Sequence, residues 1–364
     1  LRTVDRLMLR ELIPPLLFGV AAFTSLFFAG GYLSRLTGLL VQGVPFPVVA
    51  ELFLLYLPSV IVMTLPMSVL LAVLLAFSRM SSDSEMVALW AGGVSLWRIM
   101  RPVVAVAVVV TLISYLLSEG LAPQAQRRST ELRERALGEI TPLQKAFIIS
   151  DVEGGRYNSV VFVNGGMDPQ TRELRNVTIF TGFTGQGPQV YFFAERARWE
   201  RGTEWRLYNG AMRTLDPDGG ATVNTFREWS TRAVNINRTP EEVMEEQRDP
   251  DELNFRQLAQ RIQRMKRTGG DTLKLEVELY NKLAVPLASL VFALIAAPLG
   301  LRPHRGGAAV GFGLSIGLIF AYWMVWQYSS ALAKAGQISP IAGSFMADVV
   351  FLTVGLLLLR RASR

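Results

Sequence analysis

Hydrophobic positions crowd both ends of this chain in long runs, whereas the middle alternates between apolar and polar residues. Six runs approach the ~20 apolar residues that a helix needs to cross a hydrocarbon core. They lie near residues 12–33, 48–77, 102–117, 283–299, 308–331 and 341–359. The second is long enough to tilt, or to break at Pro58 and Pro66. The basic, then apolar opening LRTVDRLMLRELIPPLLFGV exceeds a signal-peptide core and lacks a small-residue cleavage site, so a retained helix is expected. Residue 1 is Leu rather than Met, which leaves a trimmed start open.

The polar middle runs from about 118 to 279. It opens on a charged helical stretch, QAQRRSTELRERALGE. Short period-two runs follow: SVVFVNGG, NVTIFTG, VYFFAE, ERARWE, EWRLYNG and TVNTFREW. In ERARWE, Arg196 and Arg198 point away from Ala197 and Trp199; in EWRLYNG, Trp205 and Leu207 oppose Arg206 and Tyr208. NGGMDP, TGQGP, YNG and DPDGG read as turns. This spacing suggests a sandwich or jelly roll. Such a domain is either a protein–protein module or an open slide for an acyl chain, and composition does not choose. DELNFRQLAQRIQRMKRTGG closes the middle with a partial stripe of Leu253, Leu258 and Ile262, read as a solvated linker helix.

Charge sets the orientation. Arg2, Arg6 and Arg10 precede the first run, and Arg79, Arg98 and Arg101 separate the second from the third. Arg302 and Arg305 separate the fourth from the fifth, and Arg360, Arg361 and Arg364 end the chain. The alternate short loops carry only Arg35 and Lys334. Basic residues favour the cytoplasmic side, so both termini are expected there and the polar middle outside.

The loop SRMSSDSEMVALWAGGVSLWRIM carries the most specific local signal. Ser82 and Glu85 stand at capping-box spacing. Met86, Leu89 and Trp90 recur on one side, and Gly92 and Gly93 supply a stop. The expectation is a short amphipathic helix at the cytoplasmic surface. Two readings fit it: a lever that carries the motion of a soluble ATPase into the membrane, or an interfacial helix that merely joins two spans.

In the fifth run, the pairs Gly307 and Gly311, and Gly313 and Gly317, are spaced for close helix packing, within the chain or between subunits. Glu51 and Asp348 are charges within spans, placed near the outer interface; Arg35 lies just outside the first span, facing headgroups or an anionic substrate.

Composition excludes several chemistries. Half of the 364 residues are hydrophobic, a share a soluble surface rarely carries at this length. There is no cysteine, and His304 is the one histidine, so disulfides, thiolate catalysis and His/Cys metal sites are excluded. No phosphate loop, G-x-S-x-G elbow or H-E-x-x-H pair is present. The net charge of +7 is taken up by topology and argues no nucleic-acid role.

LPMSVLLAVLLAFSRMSSDSEMVALWAGGVS, the opening VDRLMLRELIPPLLFGV and ELYNKLAVPLASLVFALIAAPLGLRPHRGG together resemble the LptF/LptG-type (YjgP/YjgQ) permeases of lipopolysaccharide export. The resemblance covers nearly the whole chain and implies an integral membrane α-helical bundle of six spans, three plus three, around an inserted jellyroll-like periplasmic β domain. The parts would be 1–118, with a coupling helix at about 82–92, then 119–278, then 279–364. It further implies an inner-membrane location, a second permease subunit (paralogue or self), a cytoplasmic ABC ATPase dimer that alone binds ATP and Mg, a periplasmic jellyroll bridge, and lipopolysaccharide or a similar amphiphile as cargo. Ser84, Glu85, Met86, Ala88, Leu89, Trp90 and Gly92 would meet the ATPase, and Arg35 the lipid phosphates. Phe162, Ile179, Phe180 and Phe192 are the acyl-path candidates, and the glycine face of the fifth span would line a gate. The stretch SFMADVV departs from the W-x-P-N-like entry to the family's sixth span. A permease that works a periplasmic partner without moving lipid, and a scaffold with no ATPase, are the rival readings.

Overall fold

The computed structural model describes every residue except 1–2, 138–145, 154–155, 169–170, 172, 185–186, 201–203, 216–219, 232–238, 240–242, 244–247, 268–269, 302–306 and 363–364. The chain divides into two compact units: Leu1–Leu132 with Leu273–Arg364, and Arg133–Thr272.

The first unit is helical. It contains α1 (Thr3–Phe27), α2 (Leu33–Val41), α3 (Phe46–Ser82), α4 (Glu85–Ala91) and α5 (Leu96–Leu116). Helix α6 (Ala122–Leu137) continues α5 and carries the chain out of it. After the β region come α7 (Phe255–Arg267), then α8 (Leu273–Gly300), α9 (Gly307–Lys334) and α10 (Pro340–Ala362). π-turns at Phe28–Tyr32 and Leu117–Leu121 join α1 to α2 and α5 to α6 without interrupting the rods. The third rod starts at Leu96, about 1.7 turns before the expected Pro102.

Among the described residues, five helices are long and apolar enough to cross a membrane: Val4–Val41, Phe46–Ser82, Leu96–Leu137, Leu273–Gly300 and Pro340–Ala362. Helix α9, the expected fifth of six, matches them in length with 28 residues.

α3 does not break at its prolines. It is one helix of 37 residues, with Pro58 and Pro66 inside it. A helix proline orphans the carbonyl four residues earlier. Ser114 Oγ of α5 reaches the Val62 carbonyl opposite Pro66 at 3.4 Å, a weak replacement. α3 and α8 form the middle of the bundle: α3 packs on α1, α8 and α9, and α8 on α3, α5 and α10. Small residues set the crossings. A Cβ on Gly300 would stand 2.7 Å from Phe77 Cβ, and one on Gly355 3.1 Å from the Ile295 nitrogen. One on Gly343 would stand 2.3 Å from Ala333 Cβ. Backbones approach this closely only where a side chain is missing.

In the second unit, six strands form one antiparallel sheet in chain order: β1 (Phe147–Glu153), β2 (Arg156–Val163), β3 (Leu174–Thr184), β4 (Gly187–Glu200), β5 (Glu204–Leu215) and β6 (Ala221–Ser230). The described strands thus make a meander, without the Greek-key crossing that defines a jelly roll. VYFFAE and ERARWE fuse into the single strand β4. YNG is not a turn but lies within β5. Asn209 takes φ 52 there, and Asn176 of β3 takes φ 51. Both fall in the row where the regular ladder skips Glu195, between Ala194 and Arg196. The register is unchanged across this row, but the side-chain alternation shifts by one, so Val177 and Leu174, Ala194 and Ala197 all reach the same apolar cluster.

Helix α7 is not a solvated linker. Leu258 and Ile262 are buried, as is Leu253 before it. Asn254 caps it: Gln257 N–H donates to Asn254 Oδ1 at 2.9 Å, and Asn254 N–H to Gln257 Oε1 at 3.2 Å. This is a reciprocal capping box in N-x-x-Q form.

Candidate functional site

The short helix appears where the sequence placed it, built differently. α4 runs Glu85–Ala91, seven residues between the two long helices α3 and α5. The Ser82–Glu85 capping box does not form, because Ser82 is the last residue of α3. Ser84 takes the left-handed conformation at φ 60 as N-cap, with no side-chain cap bond, and Glu85 opens the helix. At the far end Gly93, at φ 77, donates its N–H to the Trp90 carbonyl, and Val94 to that of Leu89. Those bonds close the helix as the glycine pair suggested.

Two side chains seat α4. Met86 is 1% exposed, in one apolar cluster with Met8, Leu12, Phe77, Met80 and Ile99, and Leu89 packs at its margin. Trp90 does not share that side: it is 43% exposed, and Val87, which the sequence reading passed over, is 60% exposed. Trp97 at the start of α5 is 54% exposed. Glu85, Ser84, Ala88 and Gly92 are exposed as well. α4 is therefore a short helix with an anchored face and an apolar face left open.

Ion pairs tie the surrounding helix ends together. Arg98 donates to Asp5 at 2.9 Å, both partly buried. Arg79 lies 3.5 Å from Glu11 and 3.7 Å from Asp83. Ser81 donates to the Leu301 carbonyl at 3.1 Å, joining the ends of α3 and α8. An open groove of about 780 Å³ lies beside these charges, with Leu7, Pro14, Phe18, Leu75 and Arg79 in its wall.

On α9, a Cβ on Gly311 would stand 3.4 Å from Leu75 of α3, whereas one on Gly313 or Gly317 would meet no described residue within 4 Å. Gly307 has no described side-chain surroundings. Phe312, Ile316, Phe320 and Met324 are exposed beside these glycines. Among the described residues, Gly313 and Gly317 thus serve no packing contact.

Near the π-turn of the first rod, Phe28, Tyr32, Phe53 and Tyr56 stack with ring centroids 4.5–5.3 Å apart. The Arg35 guanidinium sits 5.9 Å from the centre of the Tyr32 ring. Arg35 is exposed. Glu51 is paired with Arg128 of α6 at 2.7 Å.

The four apolar candidates of the β domain divide between two faces. Ile179 pairs with Val161 and Phe192, and Phe192 with Met212, on the buried face. Phe180 pairs with Val160 and Tyr191 on the other, where its ring meets Phe162 and Tyr191, each at 5.2 Å. One acyl chain lying on one face meets either pair, not all four. Charge gathers toward the strand ends: Arg198 pairs with Glu173, and Arg206 with Glu200, Glu204 and Glu228. Hydrogen bonding to Glu173 raises Arg198 above its usual range, and the Glu228 bond does the same for Arg206. Burial, then the hydrogen bond to Glu200, raises the Tyr208 phenol above its ordinary value of 10.0.

The sequence profile of the lipopolysaccharide export system permease LptF/LptG matches residues 6–361. The chain belongs to the LptF/LptG family. It is 26% identical to the lipopolysaccharide export system permease protein LptG of Escherichia coli strain K12 over 320 residues, 85% of this chain and 84% of that one. The corresponding Haemophilus influenzae protein is 25% identical over 297 residues, 79% of each chain. With its apolar helices, the chain is a transmembrane permease of the LptF/LptG type from lipopolysaccharide transport.

The same LptF/LptG chain holds a buried charge: Asp348 is 3% exposed within the helical unit. Tyr322 of α9 donates to its Oδ1 at 2.9 Å, while Oδ2 has no partner among the described residues. The aromatic clamp of Phe292, Tyr322 and Phe351 surrounds this pair. The residues that sequence reasoning missed are Val87, Trp97 and Tyr322. Only Val87 had a usable signal, being apolar beside Met86 on the opposite side of the helix.

Proposed function

We propose that this chain is the permease subunit of an ATP-driven exporter that takes lipopolysaccharide, or a similar large amphiphile, from the inner membrane and hands it to a periplasmic bridge. The observation that carries the coupling half is α4, with Met86 and Leu89 seated and Val87 and Trp90 left open. Exposed aromatic anchors flanked by small residues suit a pocket on a protein partner. A dimeric cytoplasmic ATPase, holding ATP and Mg, grips that face in this reading. Ser84, Glu85, Ala88 and Gly92 lie beside it, also exposed.

In the same reading the chain crosses the membrane six times, with α9 as the fifth span, both termini cytoplasmic and the β unit periplasmic. A second permease subunit covers the open glycine face of α9. Arg35, beside Tyr32, meets a lipid phosphate, and Ile179 and Phe192 mark the acyl-bearing face of the sheet. ATP-driven closure of the ATPase pair displaces α4, narrows the cavity between the subunits and moves the lipid outward.

Reconstitution of the permease pair with its ATPase in vesicles that contain lipopolysaccharide tests this. Photo-crosslinkers replace Phe192 and Phe180 in separate samples. ATP-dependent capture of lipid at Phe192 is expected, with less at Phe180. Capture at neither position while ATP is hydrolysed supports the reading in which a periplasmic partner is moved without lipid. Absence of any copurifying ATPase supports a scaffold.

A further inference from the structure

A seven-residue helix moves only what it is fastened to. α4 packs on α3, and Met86 enters the apolar core to which α1 also contributes Met8 and Leu12. Apolar contact is non-directional and permits sliding. Arg98 removes that freedom. It is the third residue of α5, just past the loop that ends α4, and it donates to Asp5 in the first turn of α1 at 2.9 Å. The Arg98 and Asp5 side chains are only 22% and 19% exposed, so solvent and salt screen this bond less than a surface pair. Glu11, farther along α1, meets Arg79 on the α3 side, but Arg79 is 70% exposed and its contact is longer, 3.5 Å. The helix before α4 and the helix after it are thus both tied to α1, and the tie after it is the tighter.

We infer that the Asp5–Arg98 pair is the positioning contact that passes displacement of α4 into α1. The inference rests on the proposed function, since it requires an ATPase that moves α4. α1 and its continuation form one apolar rod from Val4 to Val41. Pulling its lower end therefore changes the groove that α1 and α3 share, where Leu7, Pro14 and Phe18 face Leu75. Asp5 and Arg98 touch neither ATP nor lipid in this scheme. They set the lipid released per ATP hydrolysed.

The test measures both quantities on one sample of the assembled permease–ATPase complex in vesicles. Arg98→Gln, Asp5→Asn and the exchange Asp5→Arg with Arg98→Asp are compared with the unmodified chain, using only fractions that retain the ATPase. ATP hydrolysis is expected to stay within about twofold, while lipid released per ATP falls about fivefold or more in each single variant, the lower range for linked sites. Recovery of at least half the ratio in the exchanged pair supports a tie. Arg98→Lys, which keeps the charge, is expected to lie between. A complex of the unmodified chain that hydrolyses ATP and exports, with single variants at an unchanged ratio, overturns the tie alone; so does parallel loss of hydrolysis and release. A complex of the unmodified chain that hydrolyses no ATP overturns the proposed function, and the tie with it.

Discussion

Removing the anchor of α4 and removing its open face have opposite consequences. Met86→Ala deletes a side chain that is 1% exposed. Loss of transfer energy plus the cavity costs about 2–5 kcal/mol. An isolated helix shorter than ~12–15 residues is marginal in water. α4 has seven residues and is held by Met86 and, more weakly, Leu89, so a loss of that size releases it. The readout is hydrogen exchange at the amides of Ala88, Gly92, Gly93 and Val94, whose bonds to Ser84, Ala88, Trp90 and Leu89 define the helix. At ~1.4 kcal/mol per tenfold, protection falls at least about 30-fold if opening is local. Trp90→Ala removes a side chain 43% exposed, costing about 1 kcal/mol, and leaves this protection nearly unchanged. It is instead expected to lower ATPase copurification. Unchanged protection in Met86→Ala, or equal loss in Trp90→Ala, refutes the division of α4 into anchored and open faces.

Four further outcomes follow from the packing. Gly300→Val overfills the crossing with Phe77 and destabilises the purified chain by about 1–3 kcal/mol in thermal unfolding, whereas Gly317→Ala, in open space, changes it little and instead weakens pairing with the second subunit. Tyr322→Phe strips Asp348 of its described hydrogen bond and costs about 1–3 kcal/mol by the same assay. Asn254→Ala removes the cap of α7 and lowers the stability of the β unit by about 1 kcal/mol in denaturant titration. Tyr208 holds its proton more tightly when folded, so its contribution is intact below pH 10.0 and is lost as pH rises through the raised value; Glu200→Gln brings the phenolate absorbance change closer to 10.0.

The position of the long helices was legible because a bilayer imposes a length and an apolar composition. Their ends were less so, since helices continue past the hydrocarbon boundary: α3 carries on to Ser82, which is why a Ser82 cap fails. The stop at Gly93 was readable from the glycine pair. Which side of α4 is buried was not, because Met86, Leu89 and Trp90 are all apolar and only the packing of the surrounding helices decides that the first two turn inward. In the β unit, alternation correctly opposed Trp205 and Leu207 to Arg206 and Tyr208. The same alternation separates Ile179 from Phe180, so grouping those neighbours on one path ignored a rule the sequence already carried. The left-handed row at Asn176 and Asn209 looked like a turn at YNG because Asn and Gly favour left-handed backbone in both settings. For α9, glycine spacing announced a packing face, but whether this chain or another fills it depends on a neighbour outside the sequence.

The most direct test of the coupling claim is a photo-crosslinker at Trp90 in cells, with a membrane-impermeant thiol reagent applied to a Trp90→Cys variant of this otherwise cysteine-free chain. The account predicts a single covalent adduct with the cytoplasmic ATPase, and thiol labelling only after the inner membrane is opened. Labelling of intact spheroplasts from outside, or an adduct pattern without any ATPase, contradicts it.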